Sequence, residues 1–222
     1  MTSSKLSLVI DGCGSNVFTG LLDSEGAWLA KTSLEGAPLE QLFQRVEQTL
    51  SDAGIKLSEI GSYIYCAGPG SVLGLRLCAM AIETWSRLYP SSAKFYAYNS
   101  LSLVTAELLR STTGLKDAIN VTDWKKGAWN STTIKDGNIC PVTVVDQDTV
   151  DNRKETLYHL PQRKGWQAAP TDAVSVAYDP SLLADLRTSE GLLRETTGVQ
   201  LYSTRINTFQ KWSPQRHRAP SI

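Results

Sequence analysis

The chain has 222 residues, enough to bury the core of one large domain or of two small ones. Its 22 Lys and Arg residues balance 22 Asp and Glu residues, and the sequence pI is about 6.7, so no overall basic field exists to hold nucleic-acid phosphates non-specifically. The N-terminus lacks the apolar stretch of a secretion signal, and the four cysteines show no C-x-x-C spacing. These features predict a cytoplasmic protein with reduced cysteines.

The first predicted elements are three strands and a helix. An apolar strand over residues 6–10 ends at Asp11, and strands over 17–22 and 27–32 form a hairpin around the turn that ends at Gly26. Pro38 then begins a helix that Gly54 ends. The apolar face of this helix includes Leu42 and Val46.

The next stretch predicts a strand, a tight loop and a helix. An aromatic and apolar run over residues 63–67 stops at Gly68-Pro69-Gly70-Ser71, where Ser71 suits the N-cap position of the following helix. Backbone N–H groups at such a helix start could bind a phosphate or a carboxylate. The same loop also suits a simple exit from a buried strand, and the sequence leaves both interpretations open.

The helix predicted from Val72 to Tyr89 carries more apolar surface than packing on one sheet requires. Its only charged residues are Arg76, Glu83 and Arg87, which share one stripe. A helix that packs on a sheet needs an apolar stripe of roughly 100°. The charged stripe argues against a membrane span. The surplus surface is therefore covered either by the chain itself or by another protein, and we favour a partner.

The second half repeats the opening pattern. After a strand over 94–98 and a helix over 100–110, an apolar strand over 118–122 ends at Asp123, and strands follow over 128–134 and 139–145. This duplicated unit of strand, acidic loop and hairpin predicts two similar lobes. Beyond residue 146 the chain turns polar. Short helical patterns cover 180–186 and 190–196, and a basic tail covers 210–218.

Few side chains offer catalytic chemistry. The only histidines, His159 and His217, have no companion residue, and no His or Cys cluster has the spacing of metal ligands. Cys13 and Cys66 adjoin glycine loops, but nothing nearby in the sequence would lower the pKa of a thiol. Asp11 and Asp123 each end the first strand of a lobe. They could hold Mg²⁺ against nucleotide phosphates, or simply accept backbone N–H groups in a turn.

Four segments resemble the TsaB (YeaZ) family of tRNA threonylcarbamoyladenosine biosynthesis proteins. The sequence Gly-Pro-Gly-Ser-Val-Leu-Gly-Leu-Arg over residues 68–76 is similar to the family signature Gly-Pro-Gly-Ser-Phe-Thr-Gly-Leu-Arg. Residues 8–11 resemble the family's first strand and aspartate, residues 98–101 its entry into the third helix, and residues 123–127 its second-lobe aspartate loop. The resemblance covers about the first 145 residues and identifies a divergent member.

The resemblance implies an α/β fold of two lobes within the actin-like, sugar-kinase-like ATPase superfamily. Such a fold is ribonuclease H-like and consists of duplicated βββαβα units. We expect residues 1–99 to form an N-terminal lobe that carries the dimerisation helices, and residues 100–222 to form a C-terminal lobe.

The resemblance also implies a non-catalytic scaffold or activating subunit. The catalytic relative TsaD carries a metal-binding histidine pair that this chain lacks. TsaB-like proteins pair with TsaD, and the TsaE ATPase is a further implied partner. In isolation a homodimer is expected, and contact with tRNA is only indirect. We expect no cofactor or metal of its own and no membrane contact, with ATP or ADP held at most at the interface with TsaD.

Two helices carry the expected partner surface, namely those over 38–53 and 72–89. The predicted partner-binding residues are Leu42, Val46, Leu73, Leu77, Met80, Ala81 and Trp85. The residues of the loops, which could also bind an anion, are Asp11, Gly68, Pro69, Gly70, Ser71 and Asp123.

Two other functions remain open from the sequence. One is a small ATP-binding enzyme of the actin-like superfamily that uses Asp11 and Asp123 across a cleft. It predicts that the isolated chain binds Mg-ATP tightly. The other is a transferase or peptidase with a cysteine nucleophile, which predicts that a thiol-alkylating reagent abolishes activity at one site.

Overall fold

The computed structural model describes residues 6–89, 93–162 and 167–202. The basic tail over 210–218, including His217, lies outside the described residues. In chain order the elements are β1 (Leu6–Asp11), β2 (Asn16–Leu22), β3 (Trp28–Glu35), α1 (Pro38–Ala53), β4 (Ile60–Gly68), α2 (Val72–Leu88), β5 (Lys94–Asn99), α3 (Ser100–Ser111), β6 (Ala118–Lys125), β7 (Ala128–Lys135), β8 (Asn138–Ile139), β9 (Thr143–Asp146), α4 (Gln147–Asp151), β10 (Thr156–His159), β11 (Val174–Ser175), α5 (Leu183–Leu186) and β12 (Arg194–Thr196).

Two sheets share one strand order. The first runs β12-β5-β4-β1-β2-β3 and the second β11-β10-β6-β7-β8, with β9 also pairing with β7. In the first sheet β1 lies antiparallel to β2 and parallel to β4. In the second, β6 lies antiparallel to β7 and parallel to β10 in the same way. The predicted duplication is therefore present in the strands.

Helices cover the first sheet on both faces. Helices α1 and α2 pack on one face, where Leu8, Leu42 and Ile82 are fully buried. On the other face Leu103 of α3 and Leu183 of α5 pack against Val9 of β1. Helix α3 contacts strands of both sheets and so lies between the lobes. None of the helices in the described part of the chain is both long enough and apolar enough to cross a membrane.

The structure confirms the predicted start of α2 and the predicted end of α1. The Ser71 Oγ accepts a hydrogen bond from the Gly74 N–H at 3.3 Å, as an N-cap residue does. Gly54 ends α1 in the left-handed conformation at φ 66°, and its N–H donates to the carbonyls of Leu50 and Ser51.

Three details differ from the sequence predictions. The strand predicted over 139–145 is divided into β8 and β9, because Pro141 cannot donate to a strand ladder. Residues 190–196, for which the sequence predicts a helix, instead include strand β12, which pairs with strand β5. The duplicated βββαβα unit predicts a helix after the three strands of the second lobe. Among the described residues between β9 and β11, the only helix is the five-residue α4.

The C-terminal part of the chain does not stay with the second sheet. Strand β12 joins the first sheet, and Leu183, Leu186 and Leu192 belong to a core shared with β1 and β4. Beyond β12, the Tyr202 N–H donates to the carbonyl of Ala67 at 2.8 Å. The predicted lobe boundary at residue 99 therefore does not separate the residues of the first sheet from those of the second.

Candidate functional site

Asp11 lies at the end of β1, where the sequence places the acid of the first lobe. Its side chain is buried, with 1% exposed. One carboxylate oxygen, Oδ1, accepts the Cys13 N–H at 2.6 Å. The other, Oδ2, accepts the hydroxyl of Tyr98 and, at 2.5 Å, that of Tyr178. Burial raises the pKa of Asp11 above 3.8, and these hydrogen bonds partly oppose the rise. Both tyrosine hydroxyls therefore bind the same carboxylate oxygen of Asp11.

Asp123 ends the corresponding strand of the second lobe and is also buried. Its backbone carbonyl accepts the side-chain amides of Asn130 at 3.0 Å and Gln162 at 2.9 Å. The hydrogen-bond partners of Asp123 thus differ from those of Asp11. The group of described His, Cys, Asp and Glu residues that lie close enough to share a metal ion contains Asp11 and does not contain Asp123.

The Gly68-Pro69-Gly70-Ser71 loop packs on the loop that follows β1. The Ser71 N–H donates to the carbonyl of Cys13 at 2.8 Å. The carbonyl of Pro69 accepts the hydroxyl of Ser100 at 2.6 Å and the thiol of Cys13 at 3.0 Å. A Cβ on Gly70 would lie 2.2 Å from the Cys13 Sγ, so only glycine fits there. This close packing favours the interpretation as a strand exit over that of an anion-binding loop.

The cysteines beside these loops are poorly suited to nucleophilic chemistry. Cys66 is 1% exposed, and burial raises the pKa of its thiol well above the ordinary value, as do the neighbouring Cys13 and Asp11. Burial also raises the pKa of Cys78. The thiols of Cys66 and Cys78 therefore remain protonated at neutral pH. His159, the only described histidine, lies in the second sheet and does not contact them.

His159 is a buried core residue of β10. Its ring packs edge-on against Trp129, with 5.6 Å between ring centroids, and its Nε2 has no hydrogen-bond partner among the described residues. Burial lowers the pKa of His159 below 6.5, while the nearby charge of Asp123 opposes this shift.

A pH dependence of stability follows for His159. Because its pKa is lower in the folded than in the unfolded state, the unfolded chain binds more protons below 6.5. The contribution of neutral His159 to the free energy of unfolding is fully present above pH 6.5. It is lost as the pH falls through the pKa of His159 in the folded state. We expect the free energy of unfolding of the wild type to fall more steeply between about pH 7.5 and about pH 5 than that of His159→Gln. Urea titrations across this range measure both slopes, and equal slopes would contradict the assignment.

Helices α1 and α2 expose apolar side chains on neighbouring surfaces. Leu73 and Met80 are 60% and 64% exposed, and Leu77 between them is half-buried. Leu39 and Phe43 of α1 are also exposed, and the Phe43 ring lies 6.1 Å from that of Trp85. We call Leu39, Phe43, Leu73, Leu77 and Met80 the apolar helix face.

Four of the predicted partner residues do not lie on this face. Ala81 and Trp85 share the stripe of α2 that turns toward the sheet, and Leu42 and Val46 share that of α1. All four are buried in the chain's own core, so their assignment to a surface is corrected. Leu39 and Phe43 are exposed on this face but were not among the predicted partner-binding residues. Their spacing of four residues, beside the buried stripe of α1, was a signal that could have identified them.

The geometry defines a class: a two-lobed α/β protein of the actin-like type, in which each lobe repeats the same sheet order. No protein-family model and no curated protein matches the sequence. Among solved structures, YeaZ from Pseudomonas aeruginosa superposes with a TM-score of 0.55 at 16% identity, covering 70% of this chain and 75% of that chain.

A second solved structure covers more of the chain. It is described as an uncharacterized protein with similarity to peptidase YeaZ from Pseudomonas aeruginosa. It superposes with a TM-score of 0.63 at 16% identity and covers 90% of this chain and 100% of that chain. The predicted resemblance to YeaZ is therefore confirmed at the level of the fold.

Proposed function

We propose that the chain is a divergent member of the TsaB (YeaZ) family. In this proposal it acts as a non-catalytic scaffold subunit that pairs with a TsaD-like protein in the threonylcarbamoyladenosine modification of tRNA. The observation that carries the proposal is the apolar helix face, displayed on a fold shared with YeaZ.

The chemistry of the described residues supports a role without catalysis. Tyr98 and Tyr178 bind the carboxylate of Asp11, and the thiols of Cys66 and Cys78 have raised pKa values. A nucleophile needs a base and a lowered pKa, which neither thiol has. The same contacts disfavour an ATP-binding enzyme that uses Asp11 and Asp123 together.

The apolar helix face supports a protein partner. Apolar side chains at 73, 77 and 80 repeat at helical spacing on α2, and those at 39 and 43 continue the surface on α1. Stable interfaces bury roughly 1,200–2,000 Å² in total, and their centres are poor in charge. A TsaD-like protein would cover this face, and in its absence a second copy of the chain would form a two-fold dimer.

Co-expression tests the proposal. The chain and the TsaD-like protein of the same organism are purified together, and size-exclusion chromatography with light scattering gives the mass of the complex. We expect a stable complex of one copy each. Separate elution of the two proteins at micromolar concentration would contradict the pairing.

A calorimetric titration of the isolated chain with Mg-ATP separates the scaffold from the enzyme. The scaffold predicts no binding heat, because any nucleotide would be held only together with the TsaD-like partner or the TsaE ATPase. Tight binding by the isolated chain would instead favour an enzyme built on Asp11 and Asp123.

A further inference from the structure

Two of the chain's four cysteines lie beside the carboxylate of Asp11. A carboxylate oxygen of Asp11 and the Sγ atoms of Cys13 and Cys66 all lie within 4.8 Å of one another, and all three residues are buried. Cys78 lies near Gly12, since its Sγ lies 3.1 Å from where a Cβ on Gly12 would be, but it is not one of this group. Cys140 lies between β8 and β9 and is half-buried.

The cluster joins elements that are held firmly relative to one another. Asp11 ends β1, and Cys66 lies on β4, which pairs with β1 in parallel register from Ser7 to Ile10. Cys13 is anchored by its carbonyl, which accepts the Ser71 N–H at the start of α2. The donor atoms are therefore brought together by the fold, although they come from positions up to 55 residues apart.

The carboxylate of Asp11 has no cationic partner among the residues that the structure describes. Its hydrogen bonds come from neutral groups, namely two tyrosine hydroxyls and one backbone N–H. An ionised carboxylate in the interior is costly unless a cation pairs with it. A bound metal ion would supply that charge and would also stabilise the thiolates.

We propose that Asp11, Cys13 and Cys66 bind Zn²⁺ as three protein ligands of a four-coordinate site. Thiolate sulfur and carboxylate oxygen are both zinc ligands, whereas Mg²⁺ and Ca²⁺ prefer oxygen alone. In a tetrahedral zinc site such ligand atoms lie roughly 3.5–3.8 Å apart, so the ligand atoms need to move together by at most about 1.3 Å.

The surroundings are suited to this change. On binding, the thiols of Cys13 and Cys66 each release a proton to solvent, and the thiolates become the ligands. The carbonyl of Pro69, which loses the Cys13 thiol as a donor, keeps the hydroxyl of Ser100. The hydroxyls of Tyr98 and Tyr178 continue to orient the carboxylate of Asp11, as outer-shell donors do in metal sites.

Cobalt provides the spectroscopic test. The untagged full chain is reduced, freed of metal and titrated with Co²⁺, which takes the geometry of zinc and absorbs when bound by thiolates. We expect a thiolate-to-cobalt charge-transfer band that saturates at one equivalent and disappears when Zn²⁺ is added. Absence of this band in the wild type would overturn the proposal without any variant.

Variants locate the ligands. Cys13→Ser and Cys66→Ser are expected to weaken Co²⁺ binding at least tenfold, since even outer-shell changes cost about 10–100-fold. Cys140→Ser is the matched control and keeps the affinity of the wild type. If a serine variant fails to fold by circular dichroism, Asp11→Asn takes its place, and Zn²⁺ is expected to raise the Tm of the wild type alone. Equal affinity in all variants, or loss in Cys140→Ser, would place the metal elsewhere.

Discussion

Gly74→Ala is expected to destabilise the protein, although alanine is the better helix former. A Cβ on Gly74 would lie 1.9 Å from the carbonyl oxygen of Gly12 and 2.9 Å from its carbon. Helix propensity favours the substitution by about 1 kcal/mol. Overpacking typically costs about 1–3 kcal/mol and occasionally more, and here the obstacle is backbone, which cannot rotate away. We therefore expect a net loss of about 2 kcal/mol or more in the free energy of unfolding.

Urea unfolding followed by circular dichroism measures this loss as a lower midpoint. Thr84→Ala, an exposed change on the same helix, is the control, and we expect it to alter stability by less than about 0.5 kcal/mol. A midpoint for Gly74→Ala equal to that of the wild type would mean that moving α2 away from the loop after β1 costs no more than the roughly 1 kcal/mol that helix propensity returns.

Local patterns account for the parts of the fold that the sequence predicts. Strands β1, β2 and β4 are apolar runs bounded by turn residues, and α1 is bounded by Pro38 and Gly54. These signals lie within a few residues of the element they define, so one sequence suffices to detect them. The duplication was also detectable, because both hairpins follow an acidic residue at a strand end.

Long-range contacts account for what the sequence does not predict. Tyr98 and Tyr178 reach Asp11 from 87 and 167 positions away, and neither lies in a pattern that signals such a contact. Strand β12 forms at residues that favour no strand by themselves, because β5 offers an unpaired edge.

The face of α2 illustrates the same limit in one helix. Its sequence holds several apolar stripes, and periodicity alone does not tell which of them faces the sheet. The choice is made by Gly74, whose close approach to Gly12 turns Cys78 and Ala81 inward and leaves Leu73 and Met80 outside. The loop after β1 thus positions the helix that carries the proposed interface.

Met80→Glu is expected to weaken association with the TsaD-like partner by about 30-fold or more in Kd, while leaving the fold intact. Met80 is 64% exposed, so a glutamate there stays in water in the free chain and changes stability by less than about 0.5 kcal/mol. In a complex the same carboxylate would be buried against apolar surface without a cation, which is costly. Hot-spot residues near the centre of an interface cost 2 kcal/mol or more when they are changed, and 2 kcal/mol is about 30-fold in Kd.

Val174→Glu is the matched control, because it makes the same kind of change at an exposed apolar residue on β11 of the second sheet. Leu77 is unsuitable for this purpose, since it packs partly against the core and its replacement would combine folding with binding. Isothermal titration calorimetry and light scattering measure both variants with the TsaD-like protein and alone. If the Kd of Met80→Glu for the TsaD-like protein lies within threefold of that of the Val174→Glu control, the apolar helix face is not the interface. The surplus apolar surface of α2 then needs another explanation.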